Sequence, residues 1–455
     1  MKQLQIALIS ANNFQNPYPV YPLGISYLSS YLLQYLPEVD VLTFDFNMGS
    51  YDDYAQFLDS HDFVLIGLSL RNFDDINRYT ENHFIPHYKR IMETTRAHAS
   101  KTPVVIGGSG FSVFPQLLVD ELQPDYGIHG EGEESLRQLA EAVINGNSPT
   151  NIEGLLYKND KGSFIQNRRT HYINKPQLHV CKDWVQYYWK TSGMMNVQTK
   201  RGCPYHCIFC SYPLIDGQRV RTLDASMVVQ NIEEMYREYG INYLFFTDSV
   251  FNIHKEYNEE LSKLLIEAKM PVKWGAYFSP SNLTLEELKL YQEAGLTHVE
   301  FGTDALTDQQ LANYQKQFHY NDIKRISSYC SDLSIFYAHF LILGGYGETE
   351  QSLNEAFSHS KELGLTIYFP YIGMRIYPNT RLSEIALEEG LIQSPSDLIN
   401  PVYYVSKDID ATTIPERARK TGQRWVFPDD KHSPLMNKLR QRGVKGPLWE
   451  YYRYA

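Results

Sequence analysis

Twice along this chain, short near-continuous apolar runs alternate with stretches of helical periodicity, and that alternation restricts the fold more than any other feature. The first series reads LQIALIS, a helical stretch near LGISYLSSYLLQYL, VDVLTFDF, DFVLIGLSL, TPVVIGGSG and DYGIHGEGEESLRQLAEAV. Strands that are apolar on both faces need cover on both sides, so residues 1–148 are predicted to form an α/β domain with a parallel, doubly wound, Rossmann-like sheet. Such sheets take ligands at the carboxyl ends of their strands. There the chain supplies residues 10–22, then Ser69, Leu70, Arg71 and Asn72, the Gly107–Gly108 pair, and Gly130, Glu131, Gly132 and Glu133.

Residues 149–188 read as a hairpin turned at NDKG, followed by a connector. The second series follows in residues 189–385. It contains INYLFFTDSVFN, VKWGAYFS, THVEFGTDAL, FYAHFLILGGYGET and TIYFPYIGMRIYPNT, with a helix from about Ala225 to Tyr239 and several after it. About six strand and helix units predict a partial (β/α)6 barrel. Residues 386–455 carry Trp425, Trp449, Tyr451 and Tyr452 without any repeat and read as a small C-terminal cap over the barrel mouth.

Composition narrows the class. No apolar run approaches the ~20 residues a membrane span requires, and the opening MKQLQIALIS fits a buried strand better than a signal peptide. A cytoplasmic protein is expected. A net charge of −11 argues against a general nucleic-acid binder, although Lys200, Arg201, Arg219 and Arg221 form a local basic patch suited to an anion. Five cysteines in 455 residues do not make a disulfide framework.

Three of those five stand within eight residues, in KRGCPYHCIFCSYP, at Cys203, Cys207 and Cys210. Gly202 and Pro204 break any helix there, so a loop presents the thiols. Three thiolates from one loop suit three corners of a small iron-sulfur cube and leave one corner open. Zinc with His206 or a remote fourth ligand is the alternative. Haem attachment is excluded, because Ser211 rather than His follows Cys210.

CxxxCxxC with an aromatic residue before the last cysteine, at the first strand of a parallel barrel, resembles the radical S-adenosylmethionine superfamily. The resemblance implies a [4Fe-4S] cluster on Cys203, Cys207 and Cys210, with S-adenosylmethionine chelating the open iron and yielding an adenosyl radical on reduction. It also implies an electron donor such as flavodoxin or ferredoxin. Phe209 matches the aromatic beside the adenine. Thr247 and Asp248 stand where relatives often carry an amino-group motif, and Asp304 stands where they commonly have Glu near the ribose. Gly344 and Tyr377 fall in the fifth- and sixth-strand motifs of the adenine pocket.

The first domain resembles the cobalamin-binding domain of the B12-dependent branch, which implies contacts from Ser69, Arg71, Gly107, Gly108 and Glu131. The loop after the first strand holds no histidine, the first in the chain being His61, so cobalt is expected to lack the usual lower imidazole. Arg71 cannot donate a lone pair and would block that face. The expected activity is C-methylation of a small molecule or peptide. A non-methylating cyclisation, rearrangement or oxidation on the same domains is the rival, as is a cluster and corrinoid sensor without turnover. Tyr277 and His339 are candidate bases.

Overall fold

A computed structural model of the chain describes residues 4–80, 82–173, 178, 180–428 and 433–453. The chain divides into two compact units. The first takes in Met1–Asp75, Asn82–Tyr187 and Leu214–Asp216, and the second Ile76–Glu81, Tyr188–Pro213 and Gly217–Ala455.

In the first unit, β1 (Leu4–Ser10), β2 (Val39–Asp45), β3 (Phe63–Ser69), β4 (Val104–Gly107) and β5 (Tyr126–Ile128) form the parallel sheet foreseen from the apolar runs, in the order β2-β1-β3-β4-β5. The strand order reverses direction between β1 and β3, which is where doubly wound sheets open a crevice. Register aligns Ser10 with Ser69 and Ser69 with Gly107 at that carboxyl edge. The core is built by Ile6, Leu8, Leu65, Leu68 and Ile106, all nearly inaccessible. β6 (Leu155–Lys158) and β7 (Phe164–Gln166) form the predicted hairpin, with Asn159 Oδ1 accepting from the Lys161 and Ser163 N–H groups across its turn. Instead of serving as a connector, the hairpin extends the sheet, β6 pairing antiparallel to β5.

The second unit holds β8 (Met195–Val197), the short β9 (Lys200–Arg201) and β10 (Arg221–Thr222), then β11 (Tyr243–Phe246), β12 (Lys273–Phe278), β13 (Leu296–Asp304), β14 (Phe336–Leu343) and β15 (Ile367–Ile372). After these come the two-residue strands β16 (Met374–Arg375), β17 (Tyr403–Tyr404) and β18 (Arg424–Trp425). The main sheet is parallel, in the order β18-β15-β14-β13-β12-β11-β8. This is the six-strand partial barrel, with β18 from the C-terminal segment added at its edge.

Local chemistry starts and stops the helices between these strands. The helix Ala225–Tyr239 begins where Asp224 accepts from the Ser226 and Met227 N–H groups, buries Val228, Ile232 and Met235 at helical spacing, and ends at Gly240. Thr284 with Glu287 and Thr349 with Ser352 make reciprocal caps at two later helix starts. Among the described residues, no helix is long and apolar enough to cross a membrane.

Candidate functional site

The cysteine loop is pinned at its neck by a two-residue antiparallel ladder, Arg201 against Arg221 and Lys200 against Thr222. Gly202, the next residue, has φ +89, and a Cβ there would sit 2.3 Å from the Arg219 carbonyl oxygen. Only glycine lets the loop close this tightly. Cys203 N–H then donates to Gly217 O at 3.1 Å and Cys210 N–H to Cys207 O at 3.1 Å.

All three cysteines line one cavity together with Tyr205, Phe209, Ser249, Tyr277, Asp304 and Lys316. Burial pushes the Cys207 thiol up and the Cys210 thiol up to about 12. Each thiol therefore carries a proton until a metal displaces it. Among the described residues, no group of three or more His, Cys, Asp or Glu converges on a single point that would hold one ion. Three thiols on the lining of one cavity fit the donor set of a cube, in which each takes a different iron.

Of the basic patch, Lys200 is withdrawn into the interior. Lys200 is 2% exposed and its Nζ lies 3.0 Å from Asp248 Oδ2, with further bonds to Thr199 and Asn258. Asp248, 1% exposed, accepts from the Thr199 and Lys200 backbone N–H groups at 2.7 and 2.9 Å and from the Thr199 hydroxyl. Expected as a ligand contact, Asp248 instead lies beneath the loop as the support on which it starts. Thr247 is likewise tied to Val197 O. Its neighbour Ser249 reaches the cavity and donates to Gly202 O at 3.1 Å.

Phe209 lines the cavity and packs edge-on to Tyr314, with ring centroids 6.1 Å apart. Asp304 also faces it, held at φ +63 beside a register irregularity in β13. A non-glycine residue in the left-handed region is strained, and such strain gathers at functional sites. Lys316, which nothing in the sequence distinguished, donates to Asp304 Oδ2 at 2.5 Å.

Gly344 and Tyr377 are not brought to this wall. The Gly344 N–H is taken by the Glu348 carboxylate, which closes the turn after β14. His339, a candidate base, faces away from the barrel axis: its Nδ1 meets Thr303 at 2.7 Å, its Nε2 meets Ser327 at 3.2 Å, and burial lowers its pKa to about 3. Tyr277 stays a candidate, being 41% exposed and on the cavity wall.

The C-terminal aromatic residues close the opposite end of the barrel. Trp449 packs against His298 and Phe369 and donates to Glu300, all nearer the amino ends of their strands than the cavity residues Gly302 and Asp304. His298 Nε2 lies 3.1 Å from Glu450 Oε2. Trp425 stacks on Tyr368 with centroids 4.5 Å apart.

In the first unit, Ser69 and Gly107 meet at the carboxyl edge of β3 and β4. Gly108 has φ +96, and a Cβ there would stand 2.7 Å from Leu70 O. The residue is thus demanded by the chain's own loop at 69–72. The Arg71 carbonyl accepts from Ser109 Oγ at 2.9 Å in the same knot. Glu131 is 7% exposed and accepts from Ile173 N–H at 3.0 Å. His87 has both ring nitrogens engaged, by Tyr51 Oη at 2.5 Å and Ala11 O at 2.8 Å. A polar, glycine-opened edge at the switch point suits a nucleotide-tailed corrinoid, and His87 is not poised as a metal ligand.

Comparison with known proteins agrees with this division. The model of the radical SAM superfamily matches residues 197–359, and that of the B12 binding domain matches residues 11–140. A tryptophan 2-C-methyltransferase from Streptomyces laurentii is 24% identical over 462 residues, covering 84% of this chain and 74% of that one. A radical S-adenosylmethionine methyltransferase structure, TsrM from Kitasatospora setae with tryptophan substrate and a SAM analog bound, superposes with a TM-score of 0.90 at 19% identity, covering 99% of this chain and 97% of that one. The same enzyme with cobalamin and a [4Fe-4S] cluster bound gives 0.87 at 20% identity, covering 100% and 98%.

Proposed function

The chain belongs to the cobalamin-dependent radical S-adenosylmethionine enzymes, and from that membership we propose that it is a C-methyltransferase acting on a small molecule. The observation that carries the reading is the single wall shared by three loop thiols, Phe209 and Asp304 at the carboxyl ends of parallel strands. Relatives named for methyl transfer, one of them to tryptophan, support it.

In this reading Cys203, Cys207 and Cys210 hold the cluster, Phe209 and Asp304 face S-adenosylmethionine, and Ser69, Arg71 and Gly107 contact cobalamin. When bound, the three cofactors supply the methyl group, its carrier and one-electron chemistry, with electrons from a flavodoxin- or ferredoxin-type donor. The protein's own work is to present the thiols on a rigid loop, which Gly202 and the Asp248–Lys200 pair achieve. Tyr205, Phe209 and Phe278 give the cavity an aromatic wall, and Tyr277 provides a hydroxyl within it. Arg71, unable to act as a metal donor, leaves cobalt without a side-chain ligand from its own position.

The test is anaerobic reconstitution of the full chain with iron, sulfide and hydroxocobalamin, followed by absorbance and by incubation with methyl-deuterated S-adenosylmethionine and L-tryptophan. Bands from both cofactors and a product carrying one deuterated methyl are expected. Both cofactors bound with a product that has lost hydrogens and gained no methyl would favour the cyclisation or oxidation chemistry instead. A Cys203→Ala variant with an undiminished redox-active cluster would refute the cluster assignment.

A further inference from the structure

We propose that Lys316 and Asp304 form a buried charge pair that sets the reduction potential of the cluster, Lys316 raising it and Asp304 restraining that effect. This deepens the reading above and rests on its assignment of a [4Fe-4S] cluster to the cysteine loop.

Both side chains line the same cavity as the three cysteines, at only 10% and 16% exposure. The Lys316 ammonium donates to Asp304 Oδ2 at 2.5 Å, and its positive charge acts on the Cys207 thiol of the same cavity. The backbone is shaped to deliver both groups. Asp304 has φ +63 and Gln315, immediately before the lysine, has φ +58, while Lys316 N–H is anchored on Leu311 O at 2.9 Å. Two left-handed non-glycine residues are strained, and they stand where the ammonium and the carboxylate enter the wall that the three cysteines share.

The consequence follows from charge. A four-iron cube with three thiolates gains one negative charge on reduction. A fixed cation in the wall beside the ligand sulfurs stabilises the reduced form more than the oxidised one, since cluster potentials respond to local charge. A partly buried site screens this weakly. Asp304, bonded to the ammonium on the same cavity wall, carries the opposite charge and offsets part of its field. The two residues therefore push the potential in opposite directions, which a purely structural ion pair would not do.

The experiment is an anaerobic redox titration of the reconstituted full chain, followed by electron paramagnetic resonance without S-adenosylmethionine or substrate. Iron and sulfide per chain are measured on every sample. Lys316→Met is expected to lower the reduced-to-oxidised ratio at a fixed potential at least tenfold, a shift of about 59 mV for one electron. Asp304→Asn is expected to move it the opposite way, and Lys316→Arg to stay near wild type. Lys316→Met with wild-type iron content and an unmoved potential would overturn the proposal. So would a downward shift in Asp304→Asn, which also keeps the question decidable if Lys316→Met fails to fold. Wild-type protein that takes up no four-iron cluster would refute the cluster reading itself, whereas matched iron content with unmoved potentials refutes only the role of the pair.

Discussion

The indole N–H of Trp449 donates to Glu300 Oε1 at 2.9 Å, joining the C-terminal segment to a barrel strand 149 residues earlier. Glu300 is fully enclosed, and burial pushes its pKa up from 4.5 to about 7, with the Trp449 bond pulling the other way. The C-terminal segment thus closes the barrel floor over a carboxyl that holds its proton near neutrality.

That arrangement makes stability depend on pH with a definite sign. Below about 4.5 the folded and unfolded states both carry the proton. Between about 4.5 and 7 the folded state keeps a proton that the unfolded state releases, so stability falls as pH rises. The loss approaches about 3 kcal/mol above that window. Urea midpoints measured across it should fall in wild type relative to Glu300→Gln, which has no proton to lose. Parallel pH profiles for the two proteins would show that Glu300 does not titrate here.

Removing Asp248 strands the Lys200 ammonium, which is 2% exposed. Asp248→Ala should cost about 3–5 kcal/mol in chemical denaturation. Asp248→Leu combined with Lys200→Met should recover most of that loss, because no charge is then left buried. Double-variant stability no better than the single would mean that the loss comes from the Thr199 bonds and not from the charge.

Gly202→Ala places a Cβ against the Arg219 carbonyl at a backbone angle that L residues avoid. The expected result is a chain with near-native circular dichroism whose iron uptake on reconstitution drops several-fold. Full iron uptake would mean the loop tolerates opening at its neck.

Cys330 is 0% exposed and burial holds its thiol well above the ordinary range. Cluster-free native protein treated with an aromatic disulfide reagent should leave Cys330 unmodified in peptide mass mapping, while the partly exposed Cys207 reacts within the same period and Cys210, its thiol pushed up to about 12, lags behind it. Equal labelling of Cys330 would signal that the helix Tyr320–Asp332, which carries it, opens readily.

Several features were legible in the order of residues alone. The apolar runs foretold both parallel sheets, because a strand buried on two faces must be apolar throughout. The helix Ala225–Tyr239 announced itself through Asp224, its apolar spacing and Gly240. The spacing of Cys203, Cys207 and Cys210 marked the loop, since thiols three and four residues apart on a glycine-broken segment must meet the same site. What only the tertiary structure decided was which polar residues face the cavity and which hold it up. Asp248 and Asp304 look alike as carboxylates at strand ends, yet one is sealed against Lys200 and the other turns at φ +63 into the cavity. Lys316 sits in a helix-to-loop stretch with no motif, and its place beside Cys207 arises from contacts between segments more than a hundred residues apart. Local sequence encodes periodicity and turns, whereas the partner of a buried charge is set by long-range packing, so the framework was readable in advance and the electrostatics of the site were not.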